Sequence, residues 1–493
     1  MSALRSFDVT QAPGSGATVQ VPQSFQPELD RTLLDGSPRV LEFPASAGAF
    51  TPNILSQILV PPTANRYILG GTSYLQFRVK VSASVVRSAD LAAQMIYFTG
   101  GPTKSAASLI DRLTISAAGT TLVDINNYAI WHNIILSHAA NQDYLLTSQI
   151  QENAFMAVSN VAAGTGAGTA TPEATLDISL PLAVGLLNTT KAFPLWAFNG
   201  PLVINIYWAS FERAVGIAPC VLSATDASST SPSSFSGTFA GESLALRCSC
   251  VDVDPEYIME QRRQMSGGKM LMYSFDQAMG LQTNAGSTSI NFGINCSSLL
   301  AVFGAQLMAA DAKPIATSPA EGAGSTFEGS WGYSANEANN IRVYRDGTQM
   351  TSFPLFLQQR DEAFPILQQA LGILFSTSNN TICQKVRSGS NLSGDKGNFR
   401  LNSNISSVTK FNHLPIWSLG ASRGGSVYQP AAVVWGMSAR KCNDDSISNQ
   451  GIYCQQLQFT MDAGQSQSGT HYLFYVFSSA VAIDGGGNCV VKR

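Results

Sequence analysis

Four histidines are the side chains in this sequence best suited to metal binding or proton transfer. His132 and His138 stand closest together, but a zinc-binding pair on one helix face needs the shorter i, i+4 spacing. His132 also lies in an apolar stretch, DINNYAIWHNIILSH, so we expect a core histidine and not a ligand. His413 and His471 stand alone. The histidines therefore predict no metal site.

The cysteines indicate core packing. Eight cysteines in 493 residues are too sparse for a disulfide framework. Cys248 and Cys250 occur in LALRCSCVDV, where alternation places them on one strand face with Leu244 and Leu246. Small buried side chains are the favoured interpretation, and a metal or redox role is the alternative.

Three short motifs typical of enzymes and metal sites are absent from the sequence. GxSxG, HExxH and CxxC do not occur. The segments GGPTKSAAS and SGGKMLM lack the frame of a phosphate-binding loop and predict a turn and a linker. Asp444 and Asp445 predict a solvated loop, with a calcium site as the alternative. The sequence thus predicts no catalytic, cofactor-binding or metal-binding residue, no cofactor, and a protein that is not an enzyme.

The composition favours contact with copies of the same chain. Only 12% of the residues are charged, against roughly 25% in an average domain, while 45% are hydrophobic. Such a neutral, hydrogen-bonding surface suits self-association better than a dispersed monomer. The net charge is −3, and no basic arm is present, so no sequence-specific binding of nucleic acid is expected.

No targeting or membrane segment is expected. The first residues, MSALRSFDVTQAPGSG, lack the apolar core of a signal peptide. The most apolar windows, Leu299–Ala310 and Tyr472–Ile483, are shorter than the ~20 residues that a membrane crossing needs. We expect a protein made in the cytosol without an anchor.

Alternating short segments predict an all-β fold. Leu202–Trp208 is apolar on nearly both faces, and SYLQFRVKVSAS and YCQQLQFTMD alternate between apolar and polar residues. Helical spacing predicts two helices, from Asp124, as the cap, to about His138 and over Phe364–Phe375. Long exposed loops are expected at Ser159–Thr175, Ser223–Ser243 and around Lys385–Asn404. Regular strands with turn-rich spacers favour an antiparallel sandwich or barrel.

Two distant segments share one pattern. LTISAAGTTL at Leu113–Leu122 and IRVYRDGTQM at Ile341–Met350 both contain a strand followed by Gly-Thr. Between the two halves lies the charged connector VDVDPEYIMEQRRQMSGGK. We therefore expect an extended N-terminal arm (1–45), a first sandwich (46–255), a linker (256–268) and a second sandwich (269–493).

With two similar β halves in view, several segments resemble the double jelly-roll major capsid proteins of large DNA viruses, virophages and polinton-like viruses. LPL…FPLWAFNGPLVINIYWASFE is similar to the family's strand–corner–strand pattern. SLIDRLTISAAGTTLVDINNYAIWHNII resembles its strand, glycine turn and Tyr/Trp-bearing helix, and HYLFYVFSSAVAID resembles the last strand of its second roll. The matches span roughly residues 50 to 485.

The resemblance implies two tandem eight-stranded antiparallel jelly-roll sandwiches with a few short helices in loops. It implies a homotrimer that forms a pseudo-hexameric capsomer, and many capsomers tiling an icosahedral virion shell around a DNA genome. The implied partners are neighbouring capsomers, penton proteins and minor capsid proteins. The resemblance leaves open whether an internal membrane lies beneath the shell, although no transmembrane segment is expected in the chain itself. By the same resemblance Ser223–Ser243 projects outward, and we expect the arm before residue 45 on the inner side.

Two other functions remain open at this point. The first is a secreted or surface carbohydrate-binding or adhesive protein, or a glycan-degrading enzyme on a sandwich scaffold, since six tryptophans could stack on sugars. Trp131, Trp196, Trp208 and Trp435 lie in apolar segments, however, where core packing is the better interpretation. The second is a single jelly-roll shell protein of an RNA virus, which the length, the duplication and the missing basic arm disfavour.

Overall fold

A computed structural model describes most of both halves of the chain. The described residues are 38–87, 94–98, 105–139, 157–161, 167–187, 191–219, 234–284, 289–307, 340–356, 365–367, 369–371, 434–439, 451–462 and 470–492. The expected loop around Lys385–Asn404, the residues His413, Asp444 and Asp445, and the arm before residue 38 lie outside these ranges.

The first half contains fourteen described strands and two helices. The strands are β1 Arg39–Pro44, β2 Leu55–Val60, β3 Arg66–Ile68, β4 Tyr74–Arg87, β5 Gln94–Phe98, β6 Ile110–Ala117, β7 Thr120–Asn126, β8 Ala157–Val161, β9 Gly168–Ala170, β10 Glu173–Pro181, β11 Phe193–Pro194, β12 Leu202–Trp208, β13 Val215–Pro219 and β14 Ser234–Asp252. The helices are α1 Tyr128–Ala139 and α2 Phe211–Ala214.

The strands of the first half form a sandwich of two four-stranded sheets. Sheet A1 has the order β1-β14-β4-β10 and is extended by β3, β9 and β11, while sheet B1 has the order β2-β12-β6-β7. A small third sheet, β13-β5-β8, adjoins them. Phe50, Phe77 and Trp208 meet in the core, where the rings of Phe50 and Trp208 stack with centroids 3.7 Å apart. Trp208 also donates its Nε1–H to Ser56 Oγ at 2.8 Å, so the buried indole keeps a hydrogen bond.

One helix precedes the nine described strands of the second half. Helix α3 spans Pro255–Ser266 between the two halves, and the strands are β15 Leu271–Asn284, β16 Ser289–Leu307, β17 Asn340–Arg345, β18 Thr348–Gln349, β19 Leu355–Phe356, β20 Val434–Ser438, β21 Ile452–Asp462, β22 Thr470–Ile483 and β23 Cys489–Lys492.

All nine strands of the second half join one hydrogen-bonded network because β16 passes from one sheet to the other. Its first part, from Ser289, pairs with β21, and its last part, up to Leu307, pairs with β20 and β22. Register shifts between Gly293 and Leu299 bend the strand, as bulges do at sandwich corners. The result is sheet A2, β15-β22-β16-β20, facing sheet B2, β16-β21-β17-β18.

The two halves have the same strand order. In each A sheet the last long strand (β14 or β22) lies between the first strand (β1 or β15) and a central strand (β4 or the end of β16), and β10 or β20 completes the sheet. In each B sheet a late strand (β12 or β21) lies between an early one (β2 or the start of β16) and a hairpin. This arrangement confirms two tandem eight-stranded antiparallel jelly rolls.

The shared sequence pattern corresponds to this hairpin in both halves. Ala118 and Gly119 connect β6 to β7 with φ of 47° and 76°, and Asp346 and Gly347 connect β17 to β18 with φ of 47° and 79°. Positive φ at both central residues makes each loop a type I′ turn, which matches the twist of a two-residue hairpin. The weak sequence match therefore marks equivalent positions of two jelly rolls.

Helix α1 begins later than the sequence predicts. Asp124 lies in strand β7, where its carboxylate forms a two-point ion pair with Arg112 of β6 at 2.7–2.8 Å. The helix starts only at Tyr128, after Asn127 with φ 54°. The expectation that Asp124 caps the helix was wrong because the hairpin extends through this residue. Of the helix expected over Phe364–Phe375, residues 365–367 and 369–370 are helical.

Three segments expected to be irregular contain strands. Ser159–Thr175 includes parts of β8, β9 and β10, and Ser223–Ser243 becomes β14 from Ser234 onward. Arg39–Pro44, inside the expected arm, pair with Ala245–Cys250 of β14 as the first strand of sheet A1. None of the helices in the described part of the chain has the length and apolar character needed to cross a membrane.

Candidate functional site

The described cysteines, whose thiols could act as nucleophiles or metal ligands, lie in the core. Cys248 and Cys250 are buried with their Sγ atoms 3.7 Å apart, and the contact with Cys250, together with burial, raises the pKa of the Cys248 thiol. Cys296 and Cys454 face each other across β16 and β21, where burial raises their pKa values to about 11 and about 12. Thiols with these pKa values are protonated at neutral pH and therefore poor nucleophiles. Leu244, Leu246, Cys248 and Cys250 are all buried, which confirms that Cys248 and Cys250 pack in the core.

The described histidines are also core residues. His132 is 4% exposed and its ring lies 5.9 Å from that of Tyr128. Burial lowers the pKa of His471 to about 4, so this side chain is neutral at pH 7. Within the described ranges no three His, Cys, Asp or Glu side chains come together as metal ligands would. The surfaces through which the jelly rolls bind one another form the candidate functional site.

An aromatic contact joins the two jelly rolls. Trp131 of helix α1 packs against Phe303 of β16 and Phe474 of β22, with ring centroids 5.9 and 5.5 Å apart. The indole Nε1–H donates to the carbonyl of Ala183 at 3.2 Å, and the Ala183 N–H donates to Tyr128 Oη at 2.9 Å. These bonds fix the tryptophan ring against the outer face of sheet A2.

Glycines allow the backbones of the two halves to approach closely. A Cβ at Gly280 of β15 would lie 2.5 Å from the carbonyl oxygen of Asn126, and a Cβ at Gly185 would overlap the carbonyl of Asp276. Only glycine avoids these clashes without a backbone shift. The main chains of the two jelly rolls are therefore in direct van der Waals contact at these two glycines.

Polar groups surround the aromatic contact. Tyr273 Oη donates to the carbonyl of Leu186 at 3.1 Å, and Lys191 Nζ donates to Ser274 Oγ at 2.6 Å. Further cross-half bonds join Asn127 to Gln282, Asn199 to Asn488, and Thr120 to the carbonyl of Cys489. Buried residues of both halves form one continuous hydrophobic cluster, which includes Ile130, Phe193, Tyr273 and Phe474. The two jelly rolls are therefore packed as one body.

The sequence pattern contained one signal of this contact that was not used. Strand β22 carries buried residues on both faces: Leu473, Tyr475 and Phe477 face the core of the second half, and Phe474 packs on the first half. A strand that is apolar on both faces needs cover on both sides. Only the fold identifies the cover of the second face, because Trp131 lies more than 340 positions earlier in the chain.

Strand β12, which is also apolar on nearly both faces, buries only one of them completely. Leu202, Ile204, Ile206 and Trp208 are buried in the sandwich, whereas Val203, Asn205 and Tyr207 are half-buried on the outer face of sheet B1. There a chain of hydrogen bonds runs from Gln57 to Asn205 and on to Thr114, at 3.1 and 3.2 Å. Arg112 lies over the Tyr207 ring, 5.4 Å from its centroid. Leu55 and Leu59 remain 46% and 43% exposed at the edge of this face.

The outer face of sheet A1 carries a different chemistry. Ion pairs join Arg78 to Asp177 at 2.7 Å and to Glu242 at 3.6 Å, Lys80 to Glu173 at 2.8 Å, and Arg247 to Glu42 at 2.6 Å. The hydrogen bonds from Lys80 and Ser82 lower the pKa of Glu173, and the bond from Arg78 lowers the pKa of Asp177. We refer to these seven charged side chains as the charged face (Glu42, Arg78, Lys80, Glu173, Asp177, Glu242 and Arg247).

Comparison with solved structures identifies the fold. The chain matches the Faustovirus major capsid protein with a TM-score of 0.51 and 8% sequence identity, over 95% of this chain and 93% of that chain. It matches a chain in the cryo-EM structure of the Sputnik virophage with a TM-score of 0.50 and 11% identity, over 98% of this chain and 94% of that chain. Both are double jelly-roll major capsid proteins, so the chain has the double jelly-roll fold along nearly its whole length. No protein-family model matches the sequence, and no curated protein does.

Proposed function

We propose that this protein is the major capsid protein of a DNA virus, a structural and non-enzymatic component of the virion. The observation that carries the proposal is the packing of two jelly rolls of identical strand order into one body. Three such chains in a ring supply six similar blocks, and a closed ring needs only one heterologous contact, repeated three times. A homotrimer of this kind forms a pseudo-hexameric capsomer that tiles an icosahedral shell.

In this proposal the partners are copies of the chain, neighbouring capsomers, and the penton and minor capsid proteins of the shell. The genome is held by enclosure, which agrees with a net charge of −3 and a low content of charged residues. The chain is made and assembled inside the host cell. The domain division stays a proposal as well: a first jelly roll at 46–255, whose sheet A1 also includes strand β1 from the segment 1–45, a linker at 256–268, most of which is helix α3, and a second jelly roll at 269–493.

The carbohydrate-binding alternative receives no support from the four tryptophans that the structure describes. Trp131, Trp196, Trp208 and Trp435 are at most 7% exposed, so their rings cannot stack on a sugar without unfolding. Their burial agrees with the core role expected of them.

Light scattering coupled to size-exclusion chromatography tests the proposal. We expect a stable species of three times 52.3 kDa at micromolar concentration, which electron microscopy should show as blocks with hexagonal outline. A chain that stays monomeric under all assembly conditions would contradict the proposed function.

A further inference from the structure

The outer faces of the two A sheets occupy equivalent places but are not equally covered. In the second jelly roll this face consists of small and apolar residues and is packed against the first jelly roll (Ala278, Gly280, Ala301, Phe303, Phe474 and Val476). In the first jelly roll the same face is solvent-exposed in the single chain, with side-chain exposures of 52% at Arg78 and 72% at Asp177. One A sheet therefore has its neighbour within the chain, and the other has none among the described residues.

The chemistry of the two faces differs at comparable positions. In sheet A2 Phe303 stands beside Gly436 on one neighbouring strand and Phe474 on the other. In sheet A1 Arg78 stands beside Asp177 and Glu242 in the same way. An apolar row inside the chain is thus replaced by an ion-paired row on the exposed side. Exposed ion pairs contribute little to the stability of a single chain, so the fold alone does not explain their concentration here.

We propose that the charged face of sheet A1 is the surface by which one copy of the chain binds the second jelly roll of the next copy. The inference rests on the proposed function, since it requires a ring of chains. Within the chain, the first jelly roll covers sheet A2 of the second. Repeating this relation from chain to chain places the second jelly roll of one copy over sheet A1 of its neighbour.

The composition of the charged face suits a contact between folded copies. Its four acidic and three basic side chains already pair with one another, so docking covers charges that are neutralised and ordered beforehand. Pre-organised groups lose less freedom on binding, and paired charges favour a single register over competing ones. The apolar contact then holds the jelly rolls of one chain together, while the polar contact joins separately folded chains.

A bulky substitution on each side of the first jelly roll tests the proposal. Ala240 is exposed on the charged side, opposite Lys80 in register, and Thr121 is exposed on the outer face of sheet B1. Tyrosine is favourable in strands, so Ala240→Tyr and the matched control Thr121→Tyr should both fold with unchanged circular dichroism. We expect Ala240→Tyr to lose the trimer at concentrations where the unsubstituted chain and Thr121→Tyr retain it. A fully trimeric Ala240→Tyr, or loss of the trimer in Thr121→Tyr alone, would overturn the assignment.

Carboxylate footprinting of the unsubstituted protein gives a second measurement that does not depend on a variant. Glu173, Asp177 and Glu242 should react with a carbodiimide and an amine several times more slowly in the trimer than in the dissociated chain. Glu256, at the exposed start of helix α3, should react equally in both. Equal reactivity of the face in both states refutes this surface and leaves the proposed function standing, whereas a wild-type chain that never forms trimers refutes both.

Discussion

Replacing Trp131 by alanine removes the ring that packs between helix α1 and sheet A2. The side chain is 7% exposed and contacts two aromatic rings of the other jelly roll. Truncation of a buried tryptophan costs about 3–5 kcal/mol, because the lost apolar area and the cavity add up. Most of this stabilisation comes from the contact between the two jelly rolls. Without it, the two jelly rolls should unfold less cooperatively with one another.

Calorimetry and urea unfolding followed by two probes measure both effects. The unsubstituted chain should unfold in one transition, whereas Trp131→Ala should separate into two transitions or show a smaller m-value. Trp208→Ala is the matched control, since Trp208 stacks on Phe50 inside the first sandwich and should lower stability without separating the halves. Trp131→Phe keeps a ring but leaves the Ala183 carbonyl without its donor, and should cost about 1–3 kcal/mol.

The reasoning fails if Trp131→Ala unfolds in a single transition with a free energy of unfolding within about 1 kcal/mol of the unsubstituted chain. It also fails if Trp208→Ala separates the halves as readily, because the coupling would then not depend on the contact at sheet A2.

Three further outcomes are expected. Gly347→Ala should lower the free energy of unfolding by about 1–2 kcal/mol, since φ is 79° and no atom lies near the added Cβ; an unchanged urea midpoint would contradict the strain. Burial lowers the pKa of His471 from 6.5 to about 4, so the unfolded chain binds more protons than the native chain between these pH values. The free energy of unfolding should therefore fall as the pH drops from 6.5 to about 4, by on the order of 3 kcal/mol in total. His471→Gln should flatten that pH dependence, and a curve parallel to that of the unsubstituted chain would argue against burial as its cause. Cys454, with a pKa raised to about 12, should react with iodoacetamide at pH 8 far more slowly in the native than in the urea-unfolded chain, and equal rates would show that the thiol is accessible.

Strand β14 shows why the sequence pattern did not predict every strand of the fold. Its first residues look like a loop because serine, threonine and glycine dominate them, yet Phe235, Gly237, Phe239 and Gly241 alternate on the inner face. The two glycines leave room for the rings of Phe211 and Phe50. A glycine that accommodates an aromatic ring from elsewhere is invisible to a search for apolar alternation, because the ring is distant in sequence.

Local sequence by itself determined the all-β class, the burial of Cys248 and Cys250, and the two equivalent turns at Gly119 and Gly347. Strand alternation and turn chemistry depend on neighbours a few residues apart, so the sequence carries them directly. Only the tertiary structure decided that Asp124 belongs to a hairpin and that Arg39–Pro44 form a sheet strand. The same holds for the contact of Trp131 with Phe474, because pairing and packing partners far apart in the chain are selected by the folded arrangement of the sheets and not by local preference.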